Sequence, residues 1–466
     1  MFKKIEIWVL YLVILISILF AVGFGVLVRQ EIEGTTKGGG VDISFLSKPA
    51  AYIARLPEQI IRLLIKSNAN RVDNFWDDDR DFYNQNGFGG TPNSEESYLL
   101  LSRYDGDLKE GVIELVDLTN FEILHTWNPD IDGFNDLVKQ VDDFKYLDRD
   151  NNNSRARILH PKLTQDGGLL FQNDTPLRKI DACSNLVFQN THDNFHHSIE
   201  TDMDGNIWSS SHMYPQNLPI EQVGRDTPLD GGYYDDAIVK LSQDGEILYE
   251  KSVSQIFIDN GMESRLSMVG TSHEFQLDPI HINDIQPVNF DSKYWKKGDV
   301  FISLGHQSMV ILFRPSTEEI IWKYEKNIFH QHDVNIINEE EISIFNNNTK
   351  YFYANKNVVD GHNEVLIYNF ETQQISSYLQ KSLAKEDVRT PSQGRGEILS
   401  NGDLFVEETD YARTLYFNSD GSLRWTHVNR ADNENVYTVG WSRILYTQND
   451  IQTVNNLLNN KGTCDE

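Results

Sequence analysis

Histidine is the residue type here whose spacing offers chemistry. His197 lies eight positions before Gly205, His332 eight before Glu340 at an equivalent turn, and His160 seven before Gly167. His281 opens the stretch His281-Ile282-Asn283-Asp284, followed by a longer loop. In a further stretch of the same kind the positions are taken by Gln393-Gly394-Arg395. An imidazole with a pKa of ~6.5 is a nucleophile when neutral and a proton donor when charged, so both roles are open near neutrality. Asn283 and Arg395 would add an amide and a permanent cation. A single histidine is commonly a hydrogen-bonded core residue. Several buried in register are costly unless an anion or a metal satisfies them. His196, His306 and His330 neighbour this set. Side chains alternate along a strand, so they are expected to point away from it or lie beside it.

Such scattered residues meet only if the chain repeats. From about Glu96 to Arg430 it does. HHSIETDMDGNIWSSS precedes DDAIVKLSQDGEILYEKSV, KGDVFISL precedes SMVILFRPSTEEIIWKYE, and QGRGEILSNGDLFVEET precedes RTLYFNSDGSLRWTHVN. The unit is four short strands joined by Gly/Asn/Asp turns. Six copies, one of them degenerate, recur at roughly 50–60 residues, the signature of propeller blades. The expectation is an all-β, six-bladed β-propeller whose first strands line a central channel. Val436 to Tyr446 would close or cap the ring. An irregular sandwich is the other all-β reading.

Ile7 to Val28 is uncharged and, at ~1.5 Å per residue, reaches about 33 Å, enough to cross a bilayer core. Lys3 and Lys4 precede it and Glu31 and Glu33 follow, which favours a short inner N-terminus and an outer body. A cleaved signal peptide is the rival reading. The chain divides into 1–6 cytoplasmic, 7–28 transmembrane signal anchor, 29–95 linker and stem, 96–446 propeller and 447–466 C-terminal tail. Within the stem, Gly34–Gly40 reads as a flexible linker, the region near Ile53–Ser67 as an amphipathic helix and Asp73–Asp81 as a loop. With 41 Lys and Arg against 70 Asp and Glu, the net charge of −29 argues against nucleic acid as a partner. Two cysteines exclude a Cys-rich metal module. Outside the cytoplasm, a Cys183–Cys464 bridge would tie down the tail, and two free thiols are the alternative. The oligomeric state is not legible.

HHSIETDMDGNIW, DPIHINDIQ, FISLGHQ and FHQHDVNII resemble the blade starts of the bacterial, PAPS-independent arylsulfotransferase family, over about Arg155 to Trp425. The resemblance implies a periplasmic six-bladed propeller. In it a channel histidine takes a sulfuryl group from an aryl sulfate, forms a sulfohistidine, and passes the group to a phenol. His332 matches the nucleophile, His281 and Asn283 the H-x-N pair, and His197 the histidine of the third blade. His160, Arg395 and His306 are the expected substrate-binding residues, and protonated His197 or His281 the general acid. The family carries an arginine before the His-Gln that Gly305 precedes here, and Arg395 is the expected substitute. Neither a cofactor nor a metal is expected, in keeping with the lack of a nucleotide-binding motif. The competing readings are a membrane-tethered, non-catalytic propeller binding a small anion or a protein, and a His-ligated metalloenzyme.

Overall fold

The computed structural model describes residues 6–32, 45–54, 56, 80, 84–139, 144, 146–219, 233–267, 277–352, 356–460 and 464. Lys3, Lys4, the Gly34–Gly40 linker, all but Arg80 of Asp73–Asp81, and 57–67 of the expected stem helix lie outside them; helix is present over 45–54. The chain forms two compact units, 1–71 and 72–466.

In the first unit a helix spans Ile7–Ile32, 26 residues. It runs four residues past the apolar run because Arg29, Gln30 and Glu31 are good helix formers. Trp8, Leu12, Ile16 and Phe20 are all exposed. Its apolar part, Ile7–Arg29, is long enough to cross a membrane, a property that anchors and signal sequences share.

The second unit is mostly β and propeller-like. Three four-stranded antiparallel sheets have the form of separate blades. One carries Tyr98–Asp105, Glu110–Asp117 and Glu122–Trp127, with Arg443–Leu445 on its inner edge. The next runs Ile282–Pro287, Val300–Leu304, Met309–Arg314, Glu319–Tyr324. The third runs Val334–Ile336, Glu341–Asn346, Glu364–Asn369, Gln374–Tyr378. A fourth sheet begins at Arg395–Ile398 and gains Gly87–Gly90 as a fifth, outer strand beside Leu423–Val428. The remaining large sheet has seven strands, in which the 16-residue Leu186–Thr201 ends one meander and begins the next.

The strands read as continuous apolar runs because both their faces are covered. In Val300–Leu304, Val300, Ile302 and Leu304 face the layer shared with Ile238 and Ile285. Phe301 faces the opposite layer with Ile342 and Ile344. The same alternation sends Ile344 and Phe345, and Leu404 and Phe405, to different layers. Leu99 and Leu101 pack with Phe405 and Trp425, so the first and last sheets share a core.

Two findings bear on the expected boundaries. Gly87–Gly90, within the expected stem, belongs to the body by strand pairing. The C-terminal segment contains a helix, Gln448–Asn460, whose Val454 and Leu457 are buried with Leu169 and Phe171. Cys183 and Cys464 form a disulfide across a sequence separation of 281. Closing so long a loop removes denatured-state entropy worth up to about 5 kcal/mol on the chain-entropy argument. Cys464→Ser is expected to lower the melting temperature and to make residues after Gln448 the first site of limited proteolysis, read by mass spectrometry.

Candidate functional site

A recurring backbone device positions the site. His160, His197, His281, His330, Gln393 and Trp441 all have left-handed φ between 51° and 66°. Each stands within or just before a strand: Leu159–Leu163, Leu186–Thr201, Ile282–Pro287, Val334–Ile336, Arg395–Ile398 or Arg443–Leu445. The strand register slips beside several of them, between Leu159 and Lys162, His196 and Ile199, and Ile282 and Asp284. Bulges of this kind re-aim side chains out of the regular alternation. Here they bring residues from distant parts of the chain together.

The histidine rings meet. His197 lies with ring centroids 5.8 Å from His160, 5.1 Å from His281 and 6.2 Å from His332. His306 stacks on His281 at 4.4 Å. Trp441 lies against His160 at 4.2 Å and His332 at 6.5 Å. His196, expected to point away from this set or to lie beside it, lies beside it, buried, with its Nδ1 2.8 Å from that of His197.

His332 is fixed in one tautomer. Its Nδ1 faces two acceptors, Asn347 Oδ1 at 2.7 Å and the His330 carbonyl at 3.0 Å, so Nδ1 carries the proton. The lone pair is then on Nε2, which accepts the Gln393 backbone N–H at 2.9 Å. The Gln393 side-chain Nε2 also lies 3.2 Å from His197 Nε2. Two imidazole nitrogens from separate sheets thus converge on one residue. Burial, the largest effect, drives the His332 pKa down to about 3 against the opposing Asn347 bond. His160 and His197 are likewise held well below 6.5, first by burial and then by neighbouring positive groups.

His281 behaves oppositely. Burial alone would lower its pKa, but its 2.9 Å bond to Asp278 Oδ2 and the charges of Asp278, Asp236 and Asp174 outweigh that and raise it. His281 is therefore biased toward its protonated form and His332 toward its neutral one. Both nitrogens of the fully buried His160 lack a hydrogen-bond partner among the described residues. His306, half-exposed, bonds through Nδ1 to the Asp278 carbonyl at 2.8 Å.

Arg395 does not reach into the cluster as a free cation. It pairs with Glu397 at 3.0 Å, lies 3.6 Å from Asp333, and donates to the Ser442 carbonyl, with its guanidinium 5.8 Å from the Trp441 ring centroid. Beside it, Arg443 and Lys162 both pair with Glu200. Gly305 has a steric reason. A Cβ there would sit 2.4 Å from Asn283 Nδ2, because Asn283 bends over the glycine to donate to the Gln331 carbonyl at 2.7 Å.

The sequence reading singled out His160, His197, His281, Asn283, His332 and Arg395, with His306 beside them. The histidines lie at the cluster, Asn283 joins it through its bond to Gln331, and Arg395 borders it beside Trp441. Asn347, Asp278 and the capping role of Gln393 were not read from the sequence. They act through hydrogen bonds between separate loops, for which no local pattern exists.

A sequence model of the arylsulfotransferase (ASST) family matches residues 160–430, more than half of the chain. No curated protein matches it. Among solved structures the chain is similar to a protein of unknown function from Bacteroides caccae, at 12% identity over 75% of this chain and 99% of that one, with a TM-score of 0.45. It is also similar to Kuenenia stuttgartiensis hydrazine synthase, at 11% identity over 66% and 71%, with a TM-score of 0.37. The WD40 β-propeller domain of Doa1 matches at 10% identity over 79% and 98%, with a TM-score of 0.37.

Gly305→Ala is expected to displace Asn283 and cost about 1–3 kcal/mol of stability, the usual scale for forcing an atom into packed space. In a double-mutant cycle with Asn283→Ala, followed by urea unfolding, most of that cost should vanish, because the clash partner is gone.

Proposed function

Since the chain belongs to the arylsulfotransferase family, we propose that its histidine cluster transfers a sulfuryl group from an aryl sulfate to a phenol through a sulfohistidine at His332. The observation that carries this is the fixed tautomer of His332: a neutral, buried imidazole whose Nε2 lone pair accepts the backbone N–H of Gln393, the residue whose side chain His197 also meets.

In the first half-reaction, His332 Nε2 attacks sulfur and the S–O bond to the aryl group breaks. His281 gives its proton to the departing oxygen, which suits a phenolate whose conjugate acid has a pKa of ~10. The donor must displace the Gln393 N–H that caps Nε2. Once displaced, that N–H and His160 are donors for the sulfuryl oxygens, where negative charge is concentrated. In the second half-reaction the acceptor phenol returns its proton to His281. Its oxygen attacks the sulfur, and the N–S bond breaks. His197 orients Gln393, and Asn283 and His306 line the donor side. Arg395 supports Trp441 and the buried carboxylates. Of the two candidates for general acid, the opposite pKa directions favour His281 over His197.

This reading takes the seven-stranded sheet as two blades sharing Leu186–Thr201, making six blades with the other four sheets. Its support is that Leu170 and Leu177 form an apolar layer with Val239 and Leu241 between those two halves, like the layers between the other sheets. The N-terminal helix is taken as a single-pass anchor with the body periplasmic. The disulfide supports this, since such bonds persist in oxidising compartments. A second reading, a tethered propeller that holds a small anion without transferring it, is favoured by the capped Nε2 and by Gly305.

With p-nitrophenyl sulfate as donor, phenolate release should depend on an added phenol, and His332→Asn should lower it at least about a hundredfold while circular dichroism is unchanged. Full activity in that variant overturns the nucleophile assignment, and sulfate retention without turnover favours the second reading. With phenyl sulfate, kcat/KM should fall on the alkaline side, above pH ~6.5, as His281 loses the proton that Asp278, Asp236 and Asp174 help it hold against His197 and His306. His332 stays neutral down to about 3, so no acid limb is expected between pH 5 and neutrality. His281→Gln should reduce the rate and remove the alkaline limb.

A further inference from the structure

Beside the sulfuryl cluster lies a second constellation that the proposed mechanism does not use. His196, from the first strand of its unit, His212, from the end of the second, and Asp236, from the start of the third, bring their ligand atoms within 4.8 Å of one another. His196 and Asp236 are buried, and the His212 side chain is 11% exposed. Asp236 Oδ1 lies 3.4 Å from His196 Nε2 and 3.3 Å from His212 Nε2. These contacts lack hydrogen-bond geometry: both His196 Nε2 and Asp236 Oδ1 are buried without a hydrogen-bond partner among the described residues. A charged oxygen and an imidazole nitrogen aimed at each other, yet unbonded, are costly to bury.

We propose that His196, His212 and Asp236 bind a divalent zinc ion. The spacing fits that ion. Two ligands about 2.0–2.1 Å from a metal are separated by roughly 3.3 Å at a tetrahedral angle but only about 2.9 Å at a right angle. The two nitrogen-to-oxygen separations match the first. Two imidazoles and one carboxylate are also a donor set zinc takes, with a fourth position for water or a substrate oxygen. The outer contacts are those of a metal site. Asp236 Oδ2 accepts the Ile282 N–H at 2.6 Å, which orients the carboxylate. His196 Nδ1 meets His197 Nδ1 at 2.8 Å, which orients that ring. The other compact group near the cluster, Asp278, His281 and His306, is already joined by hydrogen bonds.

The site has a consequence for its neighbour. Zinc on His196 Nε2 leaves the proton on Nδ1, which then donates to His197 Nδ1. His197 therefore carries its own proton on Nε2, and the Gln393 amide, whose nitrogen faces that atom at 3.2 Å, turns to present its oxygen as the acceptor. Zinc binding itself stands whether or not sulfuryl transfer does, and its test does not read activity.

The full chain, purified in detergent, stripped with chelator and reloaded with zinc, is expected to retain about one zinc per chain through gel filtration. Reloaded with cobalt, it should show the strong visible bands of a tetrahedral site. His212→Ala and Asp236→Asn should each weaken zinc binding at least about tenfold, and His306→Ala should not. Asp236→Asn also disturbs the Ile282 bond, so His212→Ala, checked by circular dichroism, decides if the other fails to fold. No zinc retained by the wild type, an octahedral cobalt spectrum, undiminished binding in His212→Ala, or loss in His306→Ala instead would each overturn the site.

Discussion

The structure depends on one interaction repeated around the body: a buried carboxylate of one sheet accepting a backbone N–H from the start of the next. Asp236 takes Ile282, Asp284 takes Val334, Asp333 takes Gly396, and Glu407 takes both Trp441 and Ser442. The left-handed turns that precede the first strands interrupt the ladder and leave these N–H groups without regular partners. Such groups must be satisfied when buried. A carboxyl oxygen does this, with a strong, charge-assisted bond where the group is ionised, and ties neighbouring sheets together. The apolar layers supply the area; these bonds supply the register.

Electrostatics follow from that arrangement. Concentrating carboxylates near the axis is unfavourable unless some are protonated or paired. Asp284, crowded by burial and by Asp333 and Glu200, is pushed up to about 8 and stays neutral. Glu200 goes the other way, to about 2, because Arg443 and Lys162 outweigh its burial. Arg395 is drawn into the same balance by Asp333 and Glu397. Arg395 is thus held by carboxylates beside Trp441 rather than left as a free cation.

The histidines lie beside this charged layer and divide by what faces them. His281 meets Asp278 and is raised. His332 meets an amide oxygen and a carbonyl, and burial prevails. Two chemically identical side chains are thereby driven in opposite directions by what faces them. Gly305 belongs to the same logic, since its missing side chain makes room for Asn283.

The apolar helix, the repeated four-strand pattern and the recurrence of histidine at the strand starts were all determined by the sequence alone. They are local properties: hydropathy over one segment, alternation along one strand, turn residues at fixed offsets. The pairing of Gly87–Gly90 with the last sheet and the docking of Gln448–Asn460 were decided only by the tertiary structure. So were the capture of Arg395 by Glu397 and Asp333 and the convergence of His332 and His197 on Gln393. Their partners are far apart in the chain, as the 341 positions separating Gly87 from its partner opposite, Val428, show. An offset count equates His197 with His332, whereas the backbone gives His197 and His330 the same left-handed turn. That two-residue difference is set by bulges and loop closure, which depend on neighbouring sheets and leave no local trace in the sequence.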